Sequence, residues 1–231
     1  MIKAILFDFD GTLLNRDESV KKFVDGQYER LHKWLGHIPK EYYTTRFIEL
    51  DSHGYVWKDK VYQQLVDELD ITGINWADFL QDYKSQFKNS CVPFPYLLSM
   101  LEELSSNKLT LGMITNGYGQ FQMDNIKALG IERYFDIILI SEWEGIKKPD
   151  PQIFNRALKQ LDVSANQSVF VGDHPENDVR ASKYAGMKSI WKRDFQWDTV
   201  DADFIVDDLA ELPTIIKNIN TENVLYNRCD A

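Results

Sequence analysis

Only two cysteines occur in the 231 residues. Cys91 and Cys229 lie far apart in the chain and outside any metal-ligand spacing, which excludes a disulfide framework or a cysteine-bound zinc. Both thiols are expected to be reduced. Positive charge is also scarce: 36 Asp and Glu outnumber 26 Lys and Arg, for a formal net charge of -10. That balance speaks against a nucleic-acid polymer or an anionic membrane as partner, so an anion would have to be met by a local metal ion or a few placed lysines. Long apolar runs are missing too. The first one, Ala4 to Phe7, is interrupted by Asp8, too early for a signal peptide or a membrane span. The resulting expectation is a soluble, cytoplasmic protein. Repeats, low-complexity tracts and charge runs are absent, and with 44% hydrophobic and 13% aromatic residues the chain can bury a sizeable core.

The length fits one large domain or a core carrying a smaller insertion. Short runs rich in branched residues recur as KAILFD, LTLGMIT, FDIILI, SVFVGD, KSIWK and DFIVD. Near-continuous hydrophobicity of this length predicts strands covered on both faces of a parallel sheet. Helical patterns separate them over residues 95–107, 118–129, 151–161, 175–184 and 209–219, so the predicted fold is α/β, a doubly wound, mostly parallel sheet of Rossmann-like type. From about Asn15 to Asn89 the alternation stops. Stretches such as VKKFVDGQYERLHKWLG and WKDKVYQQLVDELD read as an inserted all-α block, and SCVPFPY as its return linker. The predicted division is a catalytic core of residues 1–14 and 92–231, with a helical cap of residues 15–91.

Ligands of doubly wound sheets bind outside the carboxyl ends of the strands. Asp8 and Asp10 follow the first strand, one residue apart; if the strand continued, both carboxylates would share a face. Two like charges that close repel, and the pair implies a cation beside them. Thr115 and Asn116 follow the second strand, Lys148 the third, and Asp173 and Asp178 the fourth. Together these supply a nucleophile, ligands for a cation, and donors for phosphate oxygens, the ingredients of metal-assisted phosphoryl transfer.

These four elements in order, DxDGT, a strand ending in Thr, Lys-Pro and GDxxxxD, resemble the motifs of the haloacid dehalogenase-like hydrolase superfamily. The resemblance covers essentially the whole chain. The long separation of Asp8 from Thr115, against the short one from Thr115 to Lys148, resembles members whose helical cap is inserted after the first motif. Position by position, it implies that Asp8 is the nucleophile that becomes an aspartyl-phosphate and Asp10 the general acid and base. Mg²⁺ would be held by Asp8, the Asp10 carbonyl and Asp173, with Asp178 orienting water or Lys148 from behind. Thr115, the Asn116 amide and Lys148 would bind the phosphate.

The implied activity is hydrolysis of a small phosphorylated metabolite by a Mg²⁺-dependent phosphatase. A phosphomutase of the same fold and a non-catalytic phosphometabolite-binding protein are the alternatives. Asp10 argues against a dehalogenase, which lacks the second aspartate of the first motif. His174, Arg46, His53, Trp57 and Lys58 are read first as structural residues. Oligomeric state and the identity of the phosphomonoester do not follow from the chain.

Overall fold

A computed structural model describes residues 1–229. By its internal packing the chain forms two compact units, one running from Met1 to Leu14 and resuming at Pro93, the other comprising Asn15–Val92.

The first unit is built on six parallel strands: β1 (Ala4–Phe7), β2 (Thr110–Thr115), β3 (Ile137–Ile140), β4 (Ser168–Gly172), β5 (Lys188–Lys192) and β6 (Phe204–Val206). Their order across the sheet is β3-β2-β1-β4-β5-β6. This is the doubly wound α/β topology, with the order reversing between β1 and β4, where such sheets open a crevice at their carboxyl edge. All four residues of β1 and all five of β4 are buried, as the unbroken apolar runs require of central parallel strands. Leu6, Ile114, Leu139, Phe154 and Phe170 belong to one packed cluster, in which the rings of Phe154 and Phe170 meet edge-on at 5.0 Å. Each such side chain stabilises the fold by about 1.5–3 kcal/mol through burial.

Helix Pro151–Gln160 shows how local chemistry sets the elements between strands. Asp150 caps it, accepting from the Gln152 N–H at 2.9 Å, and Pro151 takes the first helical position, where a missing N–H costs nothing. Two expectations need correction. The helix expected over residues 175–184 opens with a π-turn, Pro175–Arg180, before the short α-helix Ala181–Tyr184. The His174 carbonyl accepts from the N–H groups of both Asp178 and Val179, and its Nδ1 caps the turn by accepting from the N–H groups of Glu176 and Asn177. Second, β1 stops at Phe7. Strand alternation therefore does not align Asp8 with Asp10; the chain turns there, with the N–H groups of Leu13 and Leu14 both donating to the Phe9 carbonyl.

The second unit is helical: Arg16–Arg30, His32–Leu35, Lys40–Asp51, Lys58–Glu68 and Trp76–Gln86. Asn75 and Asp78 form a capping box at the start of the last of these. Its core is aromatic. Tyr62 stacks on Phe79 and Phe23 meets Tyr83 edge-on, around a buried Gln27 that accepts from the hydroxyls of Tyr43 and Tyr62 and donates to Asp82. No helix among the described residues is long and apolar enough to cross a membrane. Cys91 is a free thiol; the side chain of Cys229 lies outside the described residues.

Candidate active site

Asp8 follows β1 and Asp173 follows β4, so the two leave adjacent strands at the reversal of strand order. One carboxylate oxygen each from Asp8, Asp173 and Asp178 lies within 4.8 Å of the others. Lys148 reaches in from the segment after β3. Its Nζ donates to Asp8 Oδ1 at 2.5 Å and to Asp178 Oδ1 at 2.6 Å, and its side chain is only 3% exposed.

Every member of this cluster is held by a specific contact. Thr12 donates its hydroxyl to Asp173 Oδ1 at 2.9 Å, and the Trp191 indole N–H donates to the Asp173 carbonyl at 2.8 Å. Asp178 spends both oxygens within the protein, Oδ1 on Lys148 and Oδ2 on the His174 N–H at 2.9 Å. Asn116 pins the backbone of Lys148 in both directions: its Nδ2 donates to the Lys148 carbonyl and its Oδ1 accepts from the Lys148 N–H, each at 2.9 Å. The Asn116 side chain is thus spent on the backbone of Lys148. Gly11 has φ +85°, and a Cβ there would collide with the Asp173 carboxylate. Only glycine serves at that turn.

Three acids against one lysine leave an excess of negative charge. Burial pushes the Asp8 carboxyl up to about 7; Lys148 pulls against this, while Asp178 and Asp10 add to it. Asp173 is raised well above the usual carboxylate range by burial and by the charges of Asp8 and Asp178. Burial pulls Lys148 down, but Asp178 and Asp8 outweigh it and hold the ammonium above its ordinary value. A lysine that keeps its proton beside acids that resist losing theirs is the signature of a site short of positive charge.

Asp10 lies outside the three-acid cluster. Its Oδ2 accepts from Gln122 Nε2 at 2.5 Å. Thr115, at the end of β2, is buried, and its Oγ1 accepts from the same nitrogen at 2.9 Å. Gln122 sits one turn into helix Gly119–Ala128 and is 2% exposed. It was not singled out from the sequence, where it is one more polar residue in an amphipathic helix; its only signal was an amide at a position due to be buried. His174 serves as the cap described above. Of the helical-unit candidates, Arg46 is tied to Glu68 and Glu49, Lys58 pairs with Asp51, Trp57 is exposed, and His53 has φ 55° in the turn after Asp51.

An open, doubly wound parallel sheet whose carboxyl edge gathers acids, a lysine and a threonine hydroxyl places this chain in the class of α/β proteins that carry their site at the reversal of strand order. Residues 5–192 match the family described as haloacid dehalogenase-like hydrolase, and the chain belongs to that family. It is 29% identical to a glyceraldehyde 3-phosphate phosphatase of Methanocaldococcus jannaschii, over 96% of this chain and 100% of the relative. Identity to a phosphoserine phosphatase of Thermus thermophilus is 34%, over 82% of this chain and 88% of that one. The crystal structure of a HAD phosphatase from Thermococcus onnurineus superimposes with a TM-score of 0.66 at 26% identity, covering 93% of this chain and 98% of that chain.

Proposed function

We propose that this hydrolase is a phosphatase that cleaves a small phosphomonoester in two steps through Asp8. The observation that carries the reading is the cluster of Asp8, Asp173 and Asp178, with the Lys148 ammonium paired to Asp8 and Asp178, on a chain that is similar along most of its length to two proteins named as phosphatases. Lys148 occupies Asp8 Oδ1, and Asp8 Oδ2 is the oxygen left for attack. It forms a bond to phosphorus as the bond from phosphorus to the leaving oxygen breaks. Asp10 donates a proton to that oxygen, then takes one from the water that hydrolyses the aspartyl-phosphate, and inorganic phosphate is released. Thr115 and Lys148 donate to the phosphate oxygens throughout.

The donor set suits Mg²⁺, a hard cation that takes oxygen ligands. Asp8 and Asp173 would hold the ion together with the Asp10 carbonyl, and Asp178, which accepts from Lys148 and from the His174 N–H, would fix the lysine. When bound, the ion withdraws charge from the phosphoryl group and relieves the repulsion among the acids. The helical unit is proposed as the cap that selects the leaving group. The substrate class is a small phosphorylated metabolite, as the names of the relatives suggest.

Release of phosphate from p-nitrophenyl phosphate with and without Mg²⁺, followed by a panel containing glyceraldehyde 3-phosphate, phosphoserine and nucleoside monophosphates ranked by kcat/KM, tests the proposal. Turnover that EDTA abolishes and Mg²⁺ restores is the expected result. Absence of turnover by the folded, metal-supplemented protein on every compound would overturn it.

A further inference from the structure

Gln122 joins residues from two separate strand ends through one nitrogen. Its Nε2 lies 2.5 Å from Asp10 Oδ2, 2.9 Å from Thr115 Oγ1 and 3.4 Å from the Asn116 carbonyl. The orientation of a glutamine amide is inferred from its neighbours, and here they decide it. A backbone carbonyl only accepts, and so does an ionised carboxylate; neither could face the amide oxygen. The NH₂ group therefore points at this trio. Two consequences follow. Asp10 has Oδ2 fixed as an acceptor, so a proton it carries for the leaving group resides on Oδ1. The Thr115 oxygen receives a hydrogen, so its own proton is directed away from Gln122, and among the described residues no acceptor takes it.

We infer that Gln122 is a positioning residue that aims the general acid: by holding Asp10 Oδ2 it presents Oδ1 with its proton to the leaving oxygen, and by donating to Thr115 it turns that hydroxyl outward as a phosphate donor. The inference rests on the reading of Asp10 as the acid. Gln122 itself touches no reacting atom, so its loss should appear where a proton is needed and nowhere else. Departure of an alkoxide needs that proton; departure of p-nitrophenolate hardly does. kcat/KM reports the steps up to departure of the leaving group, so comparison of two substrates isolates the effect.

The test measures kcat/KM for p-nitrophenyl phosphate and for the best alkyl phosphomonoester of the panel, in wild type, Gln122→Met, Asp10→Asn and the double variant. Gln122→Met keeps length and volume without a donor. It should lower the alkyl ester value by about tenfold or more, the scale of one hydrogen bond to a charged group, and the p-nitrophenyl value by less than about threefold. In the Asp10→Asn background the same change should add nothing to the loss on the alkyl ester, because the two residues act as a unit. Gln122→Glu, which presents an acceptor where a donor is needed, should repeat the pattern and serves if the methionine variant does not fold. Equal losses on both substrates, or full additivity with Asp10→Asn, would overturn the inference while leaving the Asp10 assignment intact. Wild-type selectivity in Asp10→Asn alone would sink both.

Discussion

Two buried ion clusters, one in each unit, use the same ingredients to opposite ends. In the helical unit, Asp51 is buried between Arg16, whose Nη2 lies 2.7 Å from Oδ2, and Lys58 on the other oxygen. Burial pushes the Asp51 carboxyl up, but the two cations outweigh it and hold it below the usual range. At the sheet edge the count is inverted. Three clustered acids face one lysine, which pairs with Asp8 and Asp178, and burial with mutual repulsion raises Asp8 and Asp173. A buried carboxylate is thus neither basic nor acidic by burial alone; the tally of opposing charges decides. The first cluster is complete and ties helices Arg16–Arg30, Lys40–Asp51 and the start of Lys58–Glu68 together. The second gathers three carboxylate oxygens within 4.8 Å of one another with a single lysine to oppose them.

The comparison breaks most sharply at Asp8. Asp8→Asn should lower turnover at least about a thousandfold by removing the proposed nucleophile, while its melting temperature in metal-free buffer stays level or rises, because one member of an acid excess is gone and Asp178 still pairs with Lys148. A large loss of stability would mean the cluster is structural, like that of Asp51. The mirror experiment is Asp51→Asn. It leaves two cations facing a neutral amide and should cost roughly 2 kcal/mol in urea unfolding, below the usual range for a broken buried pair because Arg16 and Lys58 keep some solvent contact. Its kcat per folded molecule should stay within about threefold of wild type.

Asp173→Asn sharpens the reading of the cation site. Calorimetric titration should show Mg²⁺ affinity falling at least about tenfold, and the rise in melting temperature expected when Mg²⁺ binds folded wild type should shrink with it. An unchanged titration would count against Asp173 as a ligand. The smallest expected effect concerns acid. Asp51 has a lowered folded pKa, so the unfolded chain takes up its proton first, near pH ~3.9. Its stabilisation is present above that value and is lost as pH falls through the folded pKa. Wild type should therefore lose more stability between pH 5 and pH 3 than Asp51→Asn does, as followed by urea midpoints.

Much of this architecture could be read in advance. The runs around Ala4, Leu111 and Val169 are apolar without alternation, and only strands covered on both faces make such runs common. Asp8, Thr115 and Asp173 stood out because each stands at or just past the end of such a run, and Lys148 because proline follows it. Less was visible wherever a side chain's partner is remote in sequence. Nothing in the chain says that Asn116 spends its amide on Lys148, or that Gln122 reaches Asp10; both contacts exist because the sheet order places separate strand ends side by side. The alternation argument for Asp8 and Asp10 failed for a local reason, since the chain leaves the strand after Phe7 and turns through Gly11.

The reciprocal pair of bonds between Asn116 and Lys148 has a consequence for how this protein tolerates change. They fasten the ammonium-bearing segment to the end of β2 directly, bypassing everything between. Surface changes in the helix, strand and loops of that excursion should therefore leave the lysine in place, since its backbone is tied to Asn116 and its ammonium to Asp8 and Asp178.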